Sequence, residues 1–348
     1  MPVFNGEPFL REAVESILNQ TYHNFEFVII NDGSTDGSTT MLARFAQADS
    51  RVRVHWQRNS GYVVALNRGC ALARGKYIVR LDADDVAIPD RLERQVDFLE
   101  QHPEVAVVGG AVEGIDGAGT KLFLDRPPLE DGKIKDGLHA MSFPLCHPAV
   151  AIRKKAFDDA GGYRTQFQPA EDYDLWLRII EAWQVANLPD VVVRKRIHPC
   201  QVSNQHIRQQ IIAILGAIAA AAIRRKGQAD PTSQVDLVTE AVLQEMGVST
   251  LSLRRAQAAA YAYWIEFMVR TFQEDAALRL IGELAGLARR GQADSVTLSN
   301  SWLMAARIHY QRGRPVRAFN CAGRAVIARP LILGRPLKRS IQHLFHEC

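Results

Sequence analysis

Several things are scarce in these 348 residues, and each scarcity excludes a class of protein. No run of about 18 apolar residues occurs, so a membrane span is not expected. The most apolar stretch, Ile211 to Ile223, is Ala-rich and ends in Arg224-Arg225-Lys226, which reads as a buried helix. The chain does not open on a charged-then-apolar signal segment. The five cysteines (Cys70, Cys146, Cys200, Cys321 and Cys348) are odd in number, scattered and never in CxxC spacing. That pattern argues against a disulfide framework and a zinc site, and fits a reducing cytoplasm. Charged residues make up 23%, too few for a disordered or tail-like chain.

Net charge is only +4, yet it is unevenly spread. From His206 onward there are 19 Lys/Arg against 10 Asp/Glu, and before it 23 against 28. A mildly acidic part is thus joined to a basic one, which suggests two regions with different tasks. Between Arg312 and Arg339 stand eight basic residues and no acidic one. These lack interleaved aromatics and any recognisable nucleic-acid module, so no nucleic-acid partner is expected. Two readings remain for this stretch, a solvated helical face or a peripheral contact with anionic lipid headgroups at the inner face of a membrane.

The first 110 residues alternate helix-like and strand-like patterns. Phe9, Leu10, Ala13, Val14, Ile17 and Leu18 recur at helical spacing, and Phe25 to Ile30 is a short β-favouring run. A turn cluster over Asn31–Ser38 precedes a helix on Met41, Leu42 and Phe45. Val52 to Trp56 reads as a strand, Val63 to Ala73 as a helix, and Tyr77 to Leu81 as a strand. A helix on Leu92, Val96 and Leu99 stops before Pro103, and Val105 to Val108 is a fourth apolar run. Such alternation predicts an α/β fold with a doubly wound, mostly parallel sheet over residues 1–205. Its first strand is expected to be missing, because no apolar, strand-like run precedes Pro2-Val3-Phe4-Asn5-Gly6. We therefore expect the natural protein to be a few residues longer, with Met1 an internal start. Residues 206–348 favour helix, with a tetratricopeptide-like helical hairpin at 302–330 carried by Ala306, Tyr310, Gly313, Ala318, Ala325 and Pro330. An ordinary helix pair fits the same residues.

Leu81-Asp82-Ala83-Asp84-Asp85 closes the Tyr77 strand. On an extended strand, residues i and i+2 point to one side, so Asp82 and Asp84 can converge. The carboxyl ends of parallel strands are where doubly wound sheets bind ligands. Two hard oxygen donors suit Mg²⁺ or Mn²⁺, shared with water and a substrate's phosphates. Capping of the following helix is the plainer alternative.

The surroundings resemble family 2 glycosyltransferases. The match runs through Pro2–Gly6, Ser16–Tyr22, Asn31–Asp36, Asn59-Ser60-Gly61, Ala65–Gly69 and Ala73–Tyr77 up to the Asp82-Ala83-Asp84 motif. It continues through His147–Val150, Gly161-Gly162-Tyr163 and Glu171–Arg178, covering roughly residues 2 to 205 in the family's order. The resemblance implies a GT-A fold and inverting transfer of a sugar from a nucleotide-sugar donor, a UDP-sugar being expected, with Mn²⁺ or Mg²⁺ held by Asp82 and Asp84. The acceptor would be a glycan or lipid-linked molecule of surface polysaccharide or glycoconjugate synthesis, handled by a cytoplasmic enzyme of the hexosyltransferase type.

The resemblance also assigns residues. Pro2, Phe4, Asn5, Asp32, Asn59, Gly61, Asn67 and Asp82 would line the donor, with Arg196 or His198 reaching its diphosphate. Asp172 would be the general base and Glu171 would orient it or the acceptor, although both could simply cap their helix. His147 and Trp176 would meet the acceptor, Trp176 by stacking, although a lone His is more often structural and Trp176 could be core. Two other roles remain open for the whole chain: a non-catalytic nucleotide-sugar-binding protein, or a helical interaction scaffold carried on the same fold.

Overall fold

A computed structural model describes residues 1–198, 206–289 and 293–329. The chain divides into two compact units, Met1–Ile197 with Ile212–Met246, and His198–Ile211 with Gly247–Cys348. A single cut at residue 205 therefore does not describe the chain, because residues 212–246 pack with the N-terminal unit.

The expectation of a missing first strand is corrected by a minimal one. β1 (Pro2–Val3) pairs in parallel with β2 (Phe27–Asn31), which pairs in parallel with β3 (Val52–Trp56). Met1 extends the ladder, its amino group donating to the Val28 carbonyl at 3.0 Å and its carbonyl accepting from Ile30 N–H at 2.9 Å. Helices α1 (Glu7–Leu18) and α2 (Ser38–Ala48) connect these strands, and α3 (Tyr62–Leu72) leads on from β3 to the next sheet. α1 buries Leu10, Ala13, Val14 and Ile17, the stripe read from its spacing. Leu10, Val14 and Ile17 join Ile29, Leu42 and Val52 in one apolar core.

A second sheet runs β4 (Tyr77–Val79), β8 (Ala151–Arg153), β6 (Val105–Ile115), β9 (Gln184–Arg196), β5 (Val86–Ala87), with β7 (Lys121–Asp125) paired to β6. Here only β6 and β9 are parallel. The other pairings are antiparallel, so parallel pairing covers less of the fold than the alternation suggested. One cause is local: only Asp116–Thr120 separate β6 from β7, too few residues for a crossover. Helix α4 (Arg91–Gln101) buries Arg91, whose guanidinium donates to the carbonyls of Arg80 (2.9 Å) and Val150 (3.2 Å). That polar anchor fixes the chain leaving β4, where the acidic motif begins. Two further helices, α5 (Asp131–His139) and α6 (Lys154–Asp159), lie on the way to α7 (Glu171–Ile179). Lys154 and Lys155 pair with Asp158 and Asp159 one turn on, as a solvated face does.

α8 (Ile207–Arg224) contains the apolar run and buries Ile211, Ile212, Ala213, Ile214, Ala217, Ala220 and Ala221. By length and composition it could cross a membrane (mean hydropathy 1.4), and half of it is buried within the structure. Its C-terminal part and α9 (Glu240–Glu245) belong to the first unit, and the segment between them grips the stretch before α7. Arg164 pairs with Asp230 at 2.9 Å, Gln166 donates to the Thr232 carbonyl at 3.1 Å, and Val238 N–H donates to the Gln166 carbonyl at 2.9 Å.

In the second unit, α10 (Thr250–Arg270), α11 (Glu274–Ala288), α12 (Ser295–Gln311) and α13 (Pro315–Ala328) form helical hairpins. Ser249 and Asp294 cap α10 and α12 by accepting backbone N–H groups at 3.1 and 2.8 Å. α12 and α13 overlap the stretch 302–330, and the chain turns between them at Gly313 (φ +65°). Ser299 ties them by donating to the Ala325 carbonyl at 3.0 Å. Pro330 and the basic residues beyond it lie outside the described residues.

Candidate active site

The rim expected to hold the donor is built at the carboxyl ends of β1 and β2. Pro2 is buried, while Phe4 is 52% exposed. Asn5 has positive φ (52°), and its side-chain oxygen accepts from Thr35 N–H at 2.8 Å, tying its loop to the turn after β2. Asp32 is almost fully buried and committed to the chain itself. It accepts from Gln57 Nε2 (2.7 Å), Ser60 N–H (2.8 Å) and Gly61 N–H (3.0 Å). Asp32 therefore shapes the Gln57–Gly61 rim rather than offering a free carboxylate to a base. Gly33, at φ +79°, has no room for a side chain, since a Cβ would lie 2.7 Å from the Asn59 nitrogen. Asn59 stays exposed, and Gly61 caps α3.

After β4 the chain places the carboxylates of Asp82, Asp84 and Asp85 so that one oxygen from each lies within 4.8 Å of the others. Asp85 is buried. One of its oxygens accepts from Arg196 N–H at 2.8 Å, and the other has no partner. Burial beside Asp84 and Asp82 pushes the Asp85 carboxyl well above the usual range. Three hard oxygen donors, one of them an orphaned buried atom, fit Mg²⁺ or Mn²⁺, and Asp85 is a candidate ligand absent from the DxD reading.

Arg196 is corrected from a phosphate contact to a brace. It is buried, and its guanidinium donates to the carbonyls of Asp84 (3.0 Å), Asp116 (3.0 Å) and Gly117 (3.1 Å) and to Glu12 (2.5 Å). Its donors hold the acidic turn from behind. Neighbouring Lys195 instead faces the acids: Cys146, Asp85, Asp82 and Asp84 together push its ammonium up to about 12. Arg80, also missed by the sequence reading, is 5% exposed and places Nη1 2.5 Å from Asp82 Oδ2. Tyr62 donates to the other Asp82 oxygen at 3.3 Å and lies under the Arg80 guanidinium, 5.6 Å from ring centre. A basic residue directly before an acidic strand end was the signal available for Arg80.

Helix α7 opens on Glu171 and Asp172, where N-terminal helix geometry favours carboxylates. Asp172 Oδ1 accepts from Tyr173 N–H at 2.8 Å. Asp174 is fully buried and ion-paired to Arg164 and Arg178, which fixes the helix against the preceding loop. Glu171 is buried with Oε2 unpartnered, and desolvation beside Asp172 raises its carboxyl to about 8, a rise that Arg80 opposes. Asp172 is also raised by desolvation, against the opposing pull of Tyr173 N–H, Arg80 and Lys195. Arg80 thus acts on Asp82 on one side and on the Glu171–Asp172 pair on the other.

His147 and Trp176 are brought beside Asp172 but not in the manner expected. Trp176 is 1% exposed and packs edge-on to His147 with centroids 6.0 Å apart, so it is core and cannot stack on a sugar. His147 is buried, with Nε2 2.7 Å from the Tyr163 hydroxyl and Nδ1 3.8 Å from Asp172 Oδ2. Asn67 is corrected from donor contact to clamp. Its amide oxygen accepts from Tyr163 N–H at 2.9 Å and its amide nitrogen donates to the Tyr163 carbonyl at 2.8 Å. His198 is half-buried and opens the second unit.

The profile of Glycosyl transferase family 2 matches residues 1–161. EpsE of Bacillus subtilis (strain 168), named as a glycosyltransferase, is 34% identical over 201 residues, 56% of this chain and 71% of that protein. The amylovoran biosynthesis glycosyltransferase AmsE of Erwinia amylovora is 37% identical over 189 residues, 54% of this chain and 70% of that one. Among solved structures, the mannosyltransferase PcManGT of Pyrobaculum calidifontis, in complex with GDP-Man and Mn²⁺, superimposes with a TM-score of 0.52 at 17% identity. That match covers 96% of this chain and 86% of that one. Residues 1–349 of S. aureus TarS superimpose with a TM-score of 0.51 at 14% identity, over 92% and 88% of the two chains. These structural likenesses bear on fold, which is of the GT-A type, and the sequence relatives bear on descent: this chain belongs to glycosyltransferase family 2.

Proposed function

We propose that the chain is an inverting, metal-dependent glycosyltransferase of the hexosyltransferase type, using a nucleoside diphosphate sugar, with UDP-sugars favoured. The observation that carries this reading is that one buried cation, Arg80, pairs with Asp82 of the Asp82–Asp84–Asp85 cluster and also opposes the rise of the Glu171 and Asp172 carboxyls. Asp82, Asp84 and Asp85 would hold a divalent ion, which when bound neutralises charge on a diphosphate leaving group. Lys195, facing the same acids, adds a second positive charge for that diphosphate.

In the transfer, the acceptor hydroxyl oxygen bonds to the anomeric carbon as that carbon's bond to the diphosphate oxygen breaks. The hydroxyl proton passes to Asp172, and the nucleoside diphosphate leaves with the bonding pair. A carboxylate raised by desolvation is a stronger base than one in water, which suits Asp172 to this task. Glu171, with a carboxyl raised to about 8, is protonated at neutral pH and orients its neighbour or the acceptor as a hydrogen-bond donor.

The acceptor we assign is a glycan or lipid-linked molecule of surface polysaccharide synthesis, met on the cytoplasmic side of the membrane. In support, Val316, Phe319 and Ile327 stand on α13 at 73–79% exposure, with Arg314, Arg317, Arg324 and Arg329 exposed around them. Exposed apolar groups ringed by Arg suit peripheral contact with anionic lipid. Phe319→Ser with Ile327→Ser should reduce cosedimentation with phosphatidylglycerol vesicles severalfold; undiminished binding would remove that contact.

For the activity, nucleotide release is followed with UDP-, GDP- and dTDP-sugars, with Mn²⁺ or Mg²⁺ and with chelator. Metal-dependent release from one donor class is the expected result. No release from any donor by folded protein would favour a nucleotide-sugar-binding role. Asp84→Asn should lose metal-dependent donor binding, while Asp172→Asn should bind donor and lose transfer.

A further inference from the structure

Asp172 does not stand alone at the start of α7. Behind it runs a chain of three residues from separate segments: Asn67 on α3, Tyr163 after the Gly161-Gly162 turn, and His147 on the single 3₁₀ turn His147–Ala149. Asn67 clamps Tyr163 through both of its backbone polar groups, at 2.8 and 2.9 Å. The Tyr163 ring is buried edge-on to Phe157, with centroids 5.3 Å apart. Its hydroxyl is thereby fixed 2.7 Å from His147 Nε2. The Trp176 ring packs edge-on to the imidazole, with centroids 6.0 Å apart. The other ring nitrogen, Nδ1, looks at Asp172 Oδ2 across 3.8 Å.

We propose that His147 is a positioning residue for Asp172: Tyr163 donates its hydroxyl proton to Nε2, which leaves the ring's one proton on Nδ1, aimed at the Asp172 carboxylate. Two considerations fix this tautomer. Burial, reinforced by the positive charges of Arg80 and Lys195, holds the imidazole well below its ordinary pKa, so the ring is neutral and has one N–H to place. The opposite tautomer would set a bare Nδ1 lone pair against a carboxylate. The groups facing His147 are therefore Asp172, Tyr163, Arg80 and Lys195, and only Asp172 can accept from Nδ1.

At 3.8 Å the Nδ1–Asp172 contact is longer than a hydrogen bond. Catalytic hydrogen bonds commonly tighten only in the substrate complex. Asp172 is the more exposed partner, its side chain 28% accessible, and Oδ1 already rests on Tyr173 N–H. A small rotation of the carboxylate closes the gap to His147 when an acceptor displaces water. His147 would then hold Oδ2, Tyr173 would hold Oδ1, and a remaining lone pair would face the acceptor hydroxyl. This inference rests on the reading of Asp172 as the base.

The tautomer can be read without substrate, from the ¹⁵N shifts of the His147 ring, identified by their loss in His147→Asn. Nε2 should show the shift of an unprotonated ring nitrogen in the wild-type protein, and Tyr163→Phe should move part of the population to Nε2–H. A wild-type ring protonated on Nε2 overturns the inference. Turnover is measured with whichever UDP-, GDP- or dTDP-sugar releases nucleotide. His147→Leu should lower kcat about 30-fold with donor KM within about twofold, at unchanged thermal midpoint, and His147→Asn, whose amide N–H replaces Nδ1–H, should recover most of that loss. Wild-type kcat in His147→Leu, or equal loss in the Leu and Asn variants, also overturns it. If Asp172→Asn still transfers sugar, the base reading fails, whereas loss in Asp172→Asn with no loss in His147→Leu defeats only the positioning role.

Discussion

Arg80 places Nη1 2.5 Å from Asp82 Oδ2, so the carboxylate that opens the acidic motif is already paired to a buried cation from its own strand end. The same guanidinium opposes the rise of the Glu171 and Asp172 carboxyls. Arg80→Gln should therefore raise the pH at which transfer activity switches on, by on the order of half to one unit. The sign follows from the proposed role of Asp172 as base: the carboxyl then has to be ionised, and losing a nearby positive charge makes ionisation harder. The measurement is the pH dependence of kcat, and an unmoved or lowered inflection would show that Arg80 does not reach the base.

Glu171 has a consequence for stability as well as chemistry. Its carboxyl is raised to about 8 in the folded chain, while an unfolded Glu ionises near 4.3. Between those values the folded state binds more protons than the unfolded one, so stability falls as pH rises, by up to about 1.4 kcal/mol per unit. The contribution is fully present below the unfolded value and is lost as pH passes through the folded one. Asp85 and Asp172, both raised, add slopes of the same sign. Urea denaturation at pH 5 and pH 8 should show the wild type weakening, and Glu171→Gln should flatten the dependence. An unchanged slope in that variant would mean that Glu171 titrates normally.

Arg196 illustrates what a sequence cannot distinguish. Arg196→Ala would leave the carbonyls of Asp84, Asp116 and Gly117 without their buried donor. At about 1–3 kcal/mol for an unsatisfied buried group, shared here among relaxing loops, we expect a loss of about 2–4 kcal/mol in unfolding free energy. Nucleotide affinity of the fraction that remains folded should change little. A stable variant with weakened nucleotide binding would restore the phosphate-contact role and remove the structural one.

Most of the first hundred residues were legible because their helices and strands bury regular stripes, as Leu10, Val14 and Ile17 do on α1. β9 was not legible. It runs through Pro189-Asp190 with register shifts against β6 at Gly110 and Ala111, and it ends in a basic run, so no period-2 pattern survives. The acidic site residues could be found from motif and position alone. The surroundings of Asn67, Trp176 and Arg196 could not, because each is set by contacts distant in sequence: Asn67 with Tyr163, Trp176 with His147 and Arg196 with Asp116. The same applies to residues 212–246. Their attachment to the N-terminal unit is made by Arg164–Asp230 and Gln166–Thr232, pairs that no local pattern announces.

Lys195 supplies a test with opposite signs for two ligands. Its ammonium sits in the field of Asp82, Asp84 and Asp85, so it repels a cation bound there and attracts a diphosphate. Lys195→Met should bind Mn²⁺ alone severalfold more tightly and bind UDP or GDP severalfold more weakly, each change on the order of 1 kcal/mol. Calorimetric titration of the metal and of the nucleotide, performed separately, distinguishes this from general damage, which would weaken both. If Mn²⁺ affinity falls with that of the nucleotide, Lys195 supports the fold of the acidic turn rather than the charge balance of the site, and the diphosphate then depends on the metal alone for its counter-charge.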